Sequence, residues 1–228
     1  MNWALVPAAG SGRRFGGEVP KQYLQAAGKP LIAHALEALL AHPRIEGVVV
    51  ALADGDVRWP GWAALHGKPV VTCIGGGERA DSVLAALRAL PECVGDDALL
   101  LVHDAARPNL RADDIGKLLD AAAACADGAI LAAPVRDTLK RGGDDVRIDA
   151  TEPRERLWRA LTPQAFRRDL LRRALETAQA DGVVVTDEAM AVERLGLRPR
   201  LVEGREDNVK VTTPADLALV EFLLARTP

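Results

Sequence analysis

The chain has 228 residues, 49% of them hydrophobic and 27% charged, with a formal net charge of -3. That balance excludes intrinsic disorder and provides no global positive field for a nucleic-acid backbone, so any anion site must be local. One α/β core with an appendage is the expected size class.

The opening MNWALVPAAG lacks a basic n-region and reaches glycine before an apolar stretch of leader length forms. No later run nears the roughly 20 residues of a membrane span, so a cytoplasmic protein is expected. Cys73, Cys93 and Cys125 are odd in number and form no CxxC, and His34, His42, His66 and His103 show no paired-ligand spacing. Reduced, mostly buried thiols are the expectation, and a zinc site is not.

Short aliphatic runs recur along the chain. WALV at 3–6, VVVAL at 48–52, PVVTCI at 69–74, ALLLV at 98–102 and GAILAAPV at 128–135 read as buried strands. Between them the spacing predicts helices around Leu31, Leu36 and Leu40, around Val83, Leu87 and Leu90, and around Ile115 and Leu119. Alternation of this kind, with continuously apolar strands, argues for a Rossmann-like, mostly parallel sheet flanked by helices on both faces. VRDTLKRGGDDVRIDAT at 135–151 breaks the pattern, because two modest polar strands flank Gly142–Asp145 and read as a protruding β-hairpin arm. A long isolated hairpin is marginal alone, so another subunit is an expected support. Helices are expected next at 166–179 and 187–195, then a short strand around RPRLV, then a last helix from Pro214. Thr213 as N-cap, Pro214 at N1 and Asp216 in the first turn mark that start. No internal repeat or low-complexity linker is present.

Ligands of such sheets gather beyond the strands' C-terminal ends. Three polar segments leave such ends, PAAGSGRR, GGGERADS and HDAARP, and are expected to share one crevice. In the first, Gly10, Gly12 and Gly16 make GxGxxxG, one residue off the dinucleotide fingerprint, and no GK[ST] follows. What remains is backbone N–H groups free to approach phosphate, with Arg14 and Lys21 to neutralise charge; the competing reading is a tight turn with solvated arginines. Asp104, just after a buried strand, needs a partner, which is either a ligand group or a structural pairing with Arg107. Asp81 and Ser82 read equally well as a helix cap.

Taken in order, PAAGSGRRFGGEVPKQYL, GGGERADSVLAAL, LVHDAARP, APVRDTLK, LWRALTPQAF, TDEAM and GREDNVKVTTPADLAL resemble the blocks of the 2-C-methyl-D-erythritol 4-phosphate cytidylyltransferase family. The resemblance covers nearly the whole chain. It implies a single nucleotidyltransferase domain over 1–228, a homodimer exchanging the arm 136–154, and magnesium as the usual metal. The implied reaction joins CTP to 2-C-methyl-D-erythritol 4-phosphate, releasing pyrophosphate, in non-mevalonate isoprenoid biosynthesis. Its residues carry over as follows: Arg14 and Lys21 as the catalytic pair; Pro7, Ala8, Ala9, Gly10 and Gly12 as the nucleotide loop; Gly76, Gly77 and Ser82 on the cytosine side. Asp104 and Ala105 match ribose and metal-side contacts, Thr138 and Arg154 reach the acceptor from the arm, and Thr162, Thr186 and Lys210 reach it from the core.

Gly77 stands where the family often carries aspartate, which leaves only backbone to meet the base there. On the arm, Arg154 and Arg156 compete for one role, and the spacing to Leu157 and Trp158 favours Arg154. Two rivals fit the same sheet and turn: a nucleotidyltransferase for another sugar phosphate or sugar acid, and a non-catalytic nucleotide sensor.

Overall fold

A computed structural model describes residues 1–10 and 19–226. The chain opens with β1 (Asn2–Ala8), whose residues 3–6 are all buried, followed by a short 3-10 turn at Lys21–Tyr23 and a small ribbon, β2 (Gln25–Ala26) and β3 (Lys29–Pro30). Next come α1 (Leu31–Ala41), β4 (Gly47–Leu52), β5 (Ala64–Leu65), β6 (Lys68–Ile74), α2 (Arg79–Arg88) and β7 (Leu99–Val102). After α3 (Ala112–Ala124) and β8 (Ala129–Pro134), the arm is formed by β9 (Leu139–Gly142) and β10 (Ile148–Glu152). The rest comprises β11 (Trp158–Arg167), α4 (Arg168–Ala180), α5 (Glu188–Glu193), β12 (Arg200–Glu203) and α6 (Pro214–Ala225).

Eight strands form one mixed, mostly parallel sheet in the order β12-β8-β11-β7-β1-β4-β6-β5. β1 pairs in parallel with β4 on one side and β7 on the other, so the chain reverses its direction of travel across the sheet at β1. Such a reversal opens a crevice beyond the strand ends, because the flanking loops diverge. Alternate side chains build the two faces. Val6, Val48 and Leu101 pack with Ile32 and Leu36 of α1 and Ile115 and Leu118 of α3. Leu5, Val49 and Leu100 pack with Val83 and Leu87 of α2 and Leu171 and Leu175 of α4. Each side chain that leaves water here contributes about 1.5–3 kcal/mol, which is why a sheet of this kind is covered on both sides.

Two expectations need correcting. The stretch ahead of α4 is a ten-residue strand, β11, and the helix starts at Arg168, not 166. β11 runs antiparallel to both β7 and β8 and sits between them, with a register irregularity between Ala160 and Gln164. Its residues 161–166 are buried on both faces, so no polar–apolar alternation advertises the strand. The cysteines also depart from the reading: Cys73 and Cys125 are half-buried and Cys93 is exposed, all three as free thiols. The hairpin and final helix form as expected. Gly143 N–H bonds the Arg147 carbonyl at 2.9 Å to close the arm's turn, and the Asp216 carboxylate accepts from the Thr213 amide at 2.8 Å. No helix among the described residues is long and apolar enough to cross a membrane.

Candidate active site

The three polar segments converge. Pro7–Gly10 at the end of β1, Gly76–Arg79 running into α2, and Asp104–Ala106 after β7 line one crevice of about 700 Å³, joined by Lys21, Ser82 and Lys210. Gly12 and Arg14 lie outside the described residues.

Packing explains the glycines of the second segment. A Cβ on Gly75 would stand 2.6 Å from the Ala9 Cβ and force the two loops apart, and one on Gly76 would stand 2.2 Å from the Asp81 Cβ and collide with the first turn of α2. At Gly77 a Cβ would meet nothing within 4 Å, so packing does not require glycine at that position. The Ser82 hydroxyl accepts from the Gly76 amide at 3.2 Å and donates to the Glu78 carbonyl at 3.3 Å. Asp81 accepts from the Glu78 amide at 3.1 Å, so the capping reading holds for Asp81 and not for Ser82, whose hydroxyl bridges Gly76 and Glu78. On the opposite wall, Gln22 Nε2 donates to the Ala8 carbonyl at 2.7 Å and Tyr23 Oη to Asp56 at 2.7 Å, pinning the turn that bears Lys21.

Asp104 is the electrostatic centre. Its Oδ1 is 3.1 Å from Arg79 Nε, and its Oδ2 is 2.8 Å from Lys210 Nζ and 3.6 Å from Arg107 Nε. Burial by itself would raise the Asp104 carboxyl, but Arg79 and Lys210 outweigh it and hold the group well below the usual carboxylate range. Arg79 also pairs with Glu188, the first residue of α5, which is 1% exposed. Burial pushes the Glu188 carboxyl up, and the Arg79 charge opposes it. Burial would lower the Arg79 guanidinium, yet Glu188 and Asp104 keep it firmly charged. Three cations therefore share two buried carboxylates, leaving one positive charge in excess, to which the crevice lining adds Lys21 and against which it sets Glu78. An anion entering here finds the compensation already in place.

Sequence reasoning missed Arg79 and Glu188. A signal existed for the first, because a cation at the positive end of a helix is unfavourable unless an anion holds it. The remaining expected residues are dispersed. Thr162 is buried with its hydroxyl 3.1 Å from the Asp104 amide nitrogen. Thr186 is exposed, with its hydroxyl 3.6 Å from Met190 Sδ. Thr138 and Arg154 lie exposed on the arm, and Arg154 donates to the Arg136 carbonyl. None of these four lines the crevice.

A mixed α/β sheet with loops converging at its reversal point and a cation-rich cleft beyond them is an arrangement suited to an anionic ligand such as a nucleotide. Solved structures of nucleotidyltransferases share the fold. The crystal structure of a 4-diphosphocytidyl-2C-methyl-D-erythritol synthase superposes with a TM-score of 0.84 at 37% identity, covering 98% of each chain. A 2-C-methyl-D-erythritol 4-phosphate cytidylyltransferase from Thermus thermophilus gives 0.78 at 34%, again covering 98% of each. The family model for 2-C-methyl-D-erythritol 4-phosphate cytidylyltransferase matches residues 3–226, and the chain belongs to that family. Relatives bearing the same name include one from Xanthomonas campestris pv. campestris strain 8004, 68% identical over 98% of this chain and 84% of its own length. Another, from Stenotrophomonas maltophilia strain R551-3, is 65% identical over 98% and 97%. The chain is thus a cytidylyltransferase of isoprenoid biosynthesis.

Proposed function

We propose that the crevice binds CTP along the Pro7–Gly10 loop and that Lys21, with Arg14, stabilises charge at the α-phosphate while the phosphate of 2-C-methyl-D-erythritol 4-phosphate attacks it. One P–O bond forms from the acceptor phosphate oxygen and the α–β bridging bond breaks, giving 4-diphosphocytidyl-2-C-methyl-D-erythritol and pyrophosphate. The nucleophile is already anionic, so no general base is required. Catalysis then consists of holding two mutually repelling anions in line and offsetting charge in the transition state. The observation that carries this reading is the convergence of three strand-end loops and two lysines around one buried, ion-paired Asp104.

Within it, Gly76, Gly77 and Ser82 form the base side, where a wrong base would leave hydrogen-bonding groups unpaired. Asp104 and Ala105 face the ribose. Lys210 stands where it can pass from Asp104 to an incoming phosphate. Thr138 and Arg154 of the arm, with Thr162 and Thr186, belong to the acceptor side. For magnesium, the described residues contain no group of three His, Cys, Asp or Glu side chains able to hold an ion. Among them the fitting donor is Asp104, and it fits only as a single carboxylate completing a shell of phosphate oxygens and water, the usual habit of this ion. Magnesium bound in that way would supply further charge neutralisation on the triphosphate.

The domain is read as one unit, 1–228, with 136–154 as an arm that exchanges between the subunits of a homodimer. Support comes from the arm itself: a two-stranded sheet with Val146 93% and Ile148 68% exposed, which a neighbour would cover. Pyrophosphate release from CTP, measured against a panel of sugar phosphates with and without magnesium, tests the reading. Release with 2-C-methyl-D-erythritol 4-phosphate far above the others is expected. Preference for another acceptor, or no release at all, would overturn it.

A further inference from the structure

Lys21 stands on a turn whose other two side chains point into the protein. Lys21–Tyr23 is a single 3-10 turn of three residues, in which Gln22 and Tyr23 are buried and Lys21 is half-buried. The Tyr23 amide donates to the Pro20 carbonyl at 2.9 Å and the Leu24 amide to the Lys21 carbonyl at 3.2 Å. A turn this short has no helical ladder to stiffen it, so its place in the molecule comes from what its side chains hold.

Those side chains hold the ends of two neighbouring strands. β1 and β4 pair in parallel and finish together, with Ala8 opposite Leu52. Gln22 Nε2 reaches back 14 residues to donate to the carbonyl of Ala8, the last residue of β1, at 2.7 Å. Tyr23 Oη donates to Asp56 Oδ2 at 2.7 Å, in the loop that follows β4, and Asp56 Oδ1 accepts from the Arg58 amide at 3.0 Å. Gln22 is 4% exposed and Tyr23 7%, so a displaced turn would strand donors away from water. Two anchors on different segments also keep the turn from pivoting about either one.

Lys21 immediately precedes this pair, and with Gln22 and Ala8 it lines the crevice. An ammonium on a flexible four-carbon stem meets developing charge reliably only from a fixed backbone. We infer that Gln22 and Tyr23 are positioning residues for the transfer reaction: they hold the Lys21 backbone against the ends of β1 and β4 and so set the reach of its ammonium to the Ala8–Gly10 loop. This inference rests on the proposed role of Lys21 at the α-phosphate.

Variants of the two residues, alone and combined with Lys21→Ala, test it, with kcat and both KM values normalised to the folded fraction measured by circular dichroism. Gln22→Met keeps the length of the side chain and removes its donor. It should lower kcat by roughly tenfold and change the CTP KM by less than about threefold, as for a displaced group that acts in the transition state. Tyr23→Phe, which removes one oxygen and keeps the buried ring, should lower kcat by roughly threefold. In the Lys21→Ala background neither substitution should lower kcat further, because no ammonium is left to position. Should Gln22→Met fail to fold, Tyr23→Phe carries the same cycle. Wild-type kcat in either variant would strike that residue from the inference, and losses that multiply with that of Lys21→Ala would overturn it whole. Lys21→Ala by itself keeps the two failures apart. Undiminished turnover there would sink the reading of Lys21 and the inference with it, whereas a slow Lys21→Ala enzyme with multiplying losses would sink the inference alone.

Discussion

The crevice and the arm are opposites in preparation. At the crevice, Asp104 is 8% exposed and Glu188 1%, and each is matched to cations from other segments before any ligand arrives. On the arm, nearly every residue of β9 and β10 faces water, and Arg154 has found only the carbonyl of its neighbour Arg136. The contrast separates two ways of building a binding site. Preorganised charges in a low-dielectric wall lose little when the anion arrives, whereas an exposed arginine on a two-stranded ribbon must be ordered by something else. On the proposed reading, the described part of the nucleotide side is already ordered within one chain, and the acceptor side awaits a partner surface or the substrate itself.

If that contrast is real, damage to the crevice should propagate and damage to the arm should stay local. The largest effect is expected from Arg79→Ala. It leaves Glu188 buried without a counter-charge, a change that typically costs about 3–5 kcal/mol, a large share of the stability of an ordinary domain. Urea unfolding would report it, and a loss below about 1 kcal/mol would show that the network is ornamental. Next comes acid sensitivity. The His103 ring is held neutral with a pKa of about 4, against roughly 6.5 in an unfolded chain, so between these values only the unfolded state takes the proton. Stability should therefore fall as pH drops from about 6.5 towards 4, by up to about 3 kcal/mol from this group, and His103→Phe should flatten that part of the curve.

Lys21→Ala is expected to reduce kcat by about two orders of magnitude with folding intact, as when one donor to a developing negative charge is removed. Undiminished turnover in the variant would take Lys21 out of the mechanism. The smallest effect belongs to the arm. Arg154→Ala should raise the acceptor KM by roughly tenfold with CTP affinity and stability unchanged, the worth of one charge-assisted contact. Collapse of CTP binding instead would mean that arm and crevice are not separable, and Arg156→Ala run alongside would decide which arginine reaches the acceptor.

How legible each region was in the sequence follows the same division. The strand-end loops could be read because glycine, aspartate and a buried aliphatic run are local signals, and the Thr213–Pro214–Asp216 helix start is local as well. The partners that make Asp104 what it is could not, because Glu188 is 109 residues from Arg79, and Asn208 is 101 from the Arg107 that donates to it. No periodicity encodes a pairing across such distances. β11 stayed hidden for a different reason. Its residues 161–166 are buried on both faces and include Pro163, so they show neither the alternation of a half-exposed strand nor a helical period.

A crystal structure with CTP bound would be the most direct check on all of this. The triphosphate is expected along Ala8–Gly10 within reach of Lys21, with the cytosine against Gly76 and Gly77 and Lys210 drawn towards phosphate. Nucleotide lodged away from that loop, or seated in the crevice with its phosphates turned from Lys21, would contradict it.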